Sequence, residues 1–89
     1  METMRLQWAT INLYLQFQLE RRELDSVRAV EAARWLDRAQ ILKDSKSRPG
    51  LPLRDLLRRG EILGQRQEPN NWWYIDRVHV PQSAMLSLV

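Results

Sequence analysis

The sequence predicts a small α+β domain with the element order β-α-α-β-β. Three observations predict it. Apolar residues alternate with polar ones without a miss over residues 11–19, a period of two. An alanine-rich stretch is followed, after a basic loop, by a short helix with both ends marked. A proline-asparagine turn then separates two runs, the second rich in strand-forming residues. With 89 residues the chain fits one domain, 1–89, large enough for a core but small enough to bury only about 60 to 65% of its unfolded surface.

The first element is a strand at about residues 10–20. Ile11, Leu13, Leu15, Phe17 and Leu19 fall on one face, with Asn12, Tyr14, Gln16 and Gln18 between them. A helix would claim Ile11, Leu15 and Leu19 at i,i+4, but it would have to expose Leu13 and Phe17, so a strand is preferred. The second element is a helix at about residues 26–40, with Asp25 or Ser26 to cap it, high alanine content and an apolar stripe of Val27, Val30, Ala33 and Leu36. Trp35 is expected near the edge of that stripe. Residues 43–51 read as a loop, and Lys43, Lys46 and Arg48 make it basic.

The third element, a helix over residues 52–59, carries the most functional information. Pro52 suits the first helical position, where a missing N–H costs nothing, and Gly60 suits the left-handed residue that closes a helix. At about 100° per residue Leu53, Leu56 and Leu57 share a packing face, while Arg54 and Arg58 stack one turn apart beside it. Asp55 and Arg59 are expected to pair at i,i+4. A hairpin over residues 62–80 follows. Pro69 presets φ and Asn70 and Asn71 tolerate positive φ at its turn. Trp73 and Ile75 lie on one face of the return strand, Trp72 and Tyr74 on the other, and these aromatics are expected to pack in the core.

Composition narrows the function. Without cysteine there is no disulfide framework and no thiolate zinc site, and a single His79 gives little for metal binding; no metal or cofactor is expected. No apolar run approaches the roughly 18 residues of a membrane span, and no signal-like start is present, so a soluble cytoplasmic protein without membrane contact is expected. Net charge is +3, yet residues 43–66 hold seven Lys/Arg against three acids, a net +4 that leaves −1 for the rest. Charge concentrated in this way points to an anionic partner. Asp44, Asp55, Glu61 and Asp76 lack the spacing of a metal-dependent nuclease, and His79 has no evident nucleophile to activate, so no catalytic residue is assigned and an enzyme is not expected.

Strand, helix, basic loop, basic helix and hairpin in that order describe a winged helix-turn-helix arrangement with an extra amphipathic N-terminal strand. In such domains the second helix enters the major groove of duplex DNA and the hairpin lies alongside as a wing. Arg54 and Arg58 would reach base edges or phosphates, while Gln65, Arg66 and Gln67 would ride on the wing. The segments Glu31-Ala32-Ala33-Arg34-Trp35-Leu36, Leu53-Arg54-Asp55-Leu56-Leu57-Arg58-Arg59-Gly60-Glu61-Ile62 and Trp73-Tyr74-Ile75 resemble the excisionase and MerR-type DNA-binding domain over roughly the middle half of the chain. The resemblance implies that Arg54 and Arg58 contact DNA from the recognition helix, that Arg66 contacts the backbone from the wing, and that Trp73 and Ile75 pack beneath it.

The expected DNA-binding residues are therefore Lys43, Lys46, Arg48, Arg54, Arg58, Gln65 and Arg66, in a regulatory or architectural protein. The alternative is a protein-interaction module without nucleic-acid binding, in which the 11–19 strand pairs with a partner or with a second copy as a homodimer. A smaller variant is single-stranded nucleic-acid binding, with Trp72 and Tyr74 as stacking platforms.

Overall fold

The computed structural model describes the backbone of residues 2–78 and side chains from Trp8 onward. The chain begins with a helix, α1 (Glu2–Arg21), and not with a strand. It continues with β1 (Ser26–Arg28), α2 (Ala29–Arg38), α3 (Leu51–Arg58), β2 (Gln65–Gln67) and β3 (Trp73–Asp76). The α+β character is as the sequence predicts, but the β-α-α-β-β order is overturned. His79 and the end of the predicted hairpin lie outside the described residues.

The 11–19 segment is the main correction. Ile11, Leu15 and Leu19, spaced four apart, are fully buried along one line of α1. Phe17 is 53% exposed and Leu13 is half-buried, which is the exposure that made a helix look unfavourable from the sequence. The intervening polar residues explain why the helix prevails. Asn12 donates to the Glu61 carbonyl at 3.0 Å and accepts from the Leu63 N–H at 2.8 Å. Gln16, 7% exposed, donates to the carbonyls of Leu63 and Asp76 at 3.2 and 3.0 Å and accepts from the Val78 N–H at 2.9 Å. These amides satisfy backbone groups at both feet of the hairpin, groups that would be costly to bury unpaired.

The third strand of the sheet is β1, not the N-terminal segment. The order is β1-β3-β2, antiparallel throughout, with Val27 opposite Ile75 and Gln65 opposite Ile75 on the other side. Taking residues 26–28 as strand moves the start of α2 to Ala29, with Arg28 as its N-cap and no side-chain capping bond from Asp25 or Ser26. The helix thereby turns a different face inward: Ala29, Ala32, Ala33, Trp35 and Leu36 are buried, and Val30 is only half-buried. Trp35 is part of the core instead of its edge, under the Arg22 guanidinium 4.7 Å from its ring centre. The small alanines let neighbouring elements approach closely, and the core that results joins α1, β1, α2, α3, Ile62 and Ile75 in one cluster.

α3 follows its sequence signals. Pro52 lies in the first turn and Leu53, Leu56 and Leu57 are buried; both ends shift by one residue, to Leu51 and Arg58, with Arg59 as the C-cap. Gly60, at φ +73, closes the helix: its N–H donates to the Leu57 carbonyl and that of Glu61 to the Leu56 carbonyl, a Schellman motif. α1 and α2 end in the same motif on non-glycine residues, Glu23 at φ +56 and Gln40 at φ +59. The hairpin turn is also as predicted, with Asn71 at φ +69 and its N–H donating to the Glu68 carbonyl at 2.8 Å. Gly64, at φ +82, is required where β2 begins, since a Cβ there would lie 2.2 Å from the Asp76 carbonyl oxygen.

Candidate nucleic-acid interface

The long connection between α2 and α3 is built around one carboxylate. Asp44 accepts from the N–H groups of Ser45 at 2.9 Å and Gly50 at 2.8 Å, while its own N–H donates to Asp37 at 3.0 Å. Ser45 Oγ accepts from the Arg48 N–H at 3.0 Å. The loop is thus closed by its own polar residues, an arrangement typical of Asp and Ser in turns. It is seated beside α2, with Gly50 at φ +87 next to Val30. The side chains left over are the basic ones: Lys43, Lys46 and Arg48 are exposed, and none has an ion-pair partner among the described residues.

α3 continues this surface with corrections to the expected roles. Arg58, exposed, pairs with Asp55 at 3.0 Å across one turn. The expected Asp55–Arg59 pair does not form, and Arg59 is exposed with no ion pair among the described residues. Sequence spacing alone allowed either pair, because i,i+3 and i,i+4 neighbours both meet on a helix. Arg54 is half-buried. Its Nε is buried without a hydrogen-bond partner and Nη2 reaches the Pro49 carbonyl at 3.5 Å, so its head lies back toward the loop. The exposed cations are therefore Lys43, Lys46, Arg48, Arg58 and Arg59.

The two hairpin residues expected at DNA are held by the fold. Gln65 donates to the Leu57 carbonyl at 2.7 Å and accepts from the Ile62 N–H at 3.0 Å, closing the α3–β2 connection. Arg66 makes two bonds to the Asp76 carboxylate, at 2.9 and 3.0 Å, and a further ion pair with Glu68. The Asp76 hydrogen bond, together with the charges of Asp76 and Glu68, holds the Arg66 guanidinium even further above its ordinary pKa. Its two carboxylates leave it little positive charge to offer a phosphate.

The four acids considered as a nuclease cluster are likewise separated by their roles. Asp44 organises the loop, Asp55 pairs with Arg58, Asp76 binds Arg66, and Glu61 has a buried Oε2 without a hydrogen-bond partner. Sequence reasoning also missed a feature of the sheet. Trp72 is 48% exposed with Arg28 3.9 Å from its ring centre, and Tyr74 is half-buried with Arg66 4.9 Å away. Of the aromatics on the return strand only Trp73 packs against the core. The register Arg28↔Tyr74↔Arg66 depends on β1, which no alternation in the sequence marks.

No helix among the described residues is long and apolar enough to cross a membrane. No family model, curated protein or solved structure matches the chain.

Proposed function

We propose that the chain binds duplex DNA through the loop of residues 43–50 and the outer face of α3, as an intracellular regulatory or architectural protein. The observation that carries this reading is the set of exposed cations on one continuous segment. Lys43, Lys46, Arg48 and Arg59 have no ion pair among the described residues, and Arg58 shares only an exposed pair with Asp55. Exposed ion pairs contribute little and exchange readily for a phosphate. α3 spans about 12 Å, from its eight residues at 1.5 Å rise, a length that fits a major groove about 12 Å wide. Arg58 and Arg59 then approach base edges or phosphates, the loop cations lie on the adjacent backbone, and the hairpin flanks them as a structural support.

The excisionase and MerR-type resemblance of the helix pair and return strand agrees with this reading in its placement of Arg58, and the proposal moves Arg66 from DNA contact to support. Affinity for a mixed-sequence duplex, measured by anisotropy over a series of salt concentrations, tests it. The expected result is a steep fall in log affinity with log salt, with a loss of slope of about one for each cation removed. A flat dependence overturns the reading.

A second reading, protein–protein contact, now draws on a different surface from the predicted strand. Ile11, Leu15 and Leu19 are in the chain's own core, which removes the strand edge on which the homodimer rested. Phe17 and Leu13, four apart on the outer side of α1, are the apolar residues this segment leaves for a partner. Sedimentation of the chain and of a Phe17→Ser variant separates the readings, since a self-associating species lost with Phe17 favours this one.

A further inference from the structure

The outer face of the sheet carries a second arrangement, made by residues other than the cations above. Val27 and Ile75 face the core from β1 and β3, so their neighbours Arg28 and Tyr74, with Arg66 across from Tyr74, face outward in a row across all three strands. Trp72 stands two residues before Tyr74 on the same side, half exposed, beside Arg28. We propose that this face is a stacking platform for the unpaired bases of single-stranded DNA.

The chemistry follows from what each residue has left to offer. Trp72 and Tyr74 stand about 6.8 Å apart along the chain, two residues at strand rise, and Arg28 and Arg66 each cover one ring face, so that successive bases would stack on the faces opposite the arginines. Arg66 is locked by Asp76 and Glu68, which makes its guanidinium a fixed wall beside Tyr74. Arg28 has no ion pair among the described residues, so it alone of the two arginines is open to a phosphate or to a base stacked against its plane. The carboxylates that would accept from a ribose 2′-hydroxyl are already occupied by Arg66, so the face gains nothing from RNA over DNA. It discriminates little between bases, since every base has a π face.

Titration with a short oligothymidylate, an abasic strand of the same length, an oligouridylate and a duplex, followed by tryptophan fluorescence and anisotropy, tests this. The expected result is binding of oligothymidylate at least about tenfold tighter than of the abasic strand, which has the same charge and no bases. Trp72→Ala is expected to weaken oligothymidylate binding about tenfold or more and leave the abasic strand and the duplex unchanged, with Arg28→Ala giving a smaller loss. Trp72 is half exposed, and thermal melts of both variants establish that the fold persists. Equal affinity for the abasic strand, indifference to Trp72→Ala, or an oligouridylate bound about tenfold tighter overturns the proposal. The duplex arm, repeated with Lys43, Lys46 and Arg48 replaced by alanine, reports on the loop and α3 surface separately.

Discussion

Arg66 on the hairpin and Arg48 on the inter-helix loop are both basic residues in the +4 segment, yet the fold treats them in opposite ways. The hairpin surrounds its arginine with acids: Asp76 across the ladder and Glu68 two residues on. The loop instead turns its one acid, Asp44, inward to its own N–H groups and leaves Lys43, Lys46 and Arg48 outside. The difference teaches that a charge count identifies a basic segment but not the charges available to a ligand. Availability depends on where the acids go.

The largest effect that would break this contrast is on binding. Replacing Lys43, Lys46 and Arg48 together by alanine is expected to lower duplex affinity about a hundredfold near physiological salt and to make the log–log salt slope shallower by about three. Thermal stability should be nearly unchanged, since surface substitutions stay within about 0.5 kcal/mol each. The opposite pattern is expected of the hairpin. Gly64→Ala, which sets a Cβ against the Asp76 carbonyl at positive φ, should destabilise by at least about 2 kcal/mol in urea unfolding, with the salt slope of the folded protein intact.

Arg66→Ala sharpens the comparison further. It should lower the thermal midpoint and leave the salt slope as it was; a slope lower by about one would place Arg66 among the phosphate contacts and erase the distinction. Because its pKa is raised above the unfolded value, the stability it contributes is fully present below that unfolded value and is lost only as pH rises into strong alkali. Its contribution should therefore be flat across the neutral range. The smallest effect is at a helix end. Gln40→Gly relieves a left-handed residue at the mouth of the loop and should raise stability by up to about 1 kcal/mol without changing DNA affinity.

The parts of the fold legible in the sequence are those fixed by local backbone chemistry. Pro52 and Gly60 bounded α3 to within one residue, and Pro69-Asn70-Asn71 placed the hairpin turn, because φ preferences act without reference to the rest of the chain. The 11–19 segment was misread because alternation over nine residues also places Ile11, Leu15 and Leu19 four apart. The strand is preferred from sequence because a helix exposes Leu13 and Phe17, but the helix gains the bonds of Asn12 and Gln16. These two amides face the backbone of residues more than 40 positions away, which no local pattern announces. The candidate site divides in the same way. The loop cations could be read from composition, whereas the capture of Arg66 by Asp76 requires the hairpin register, and the Arg28–Trp72 pair requires a three-residue strand too short to show a period.

Gln16 holds the carbonyls of Leu63 and Asp76 and the N–H of Val78 with a single amide, at the point where the hairpin leaves the body and where it returns. Mechanically, the hairpin is a cantilever clamped at its root. Gln16 and Asn12 of α1 and the β1–β3 ladder together hold that root, so the tip can move while the root geometry stays fixed. Hydrogen exchange should accordingly be slow at Val78 even when the amides around the tip exchange freely.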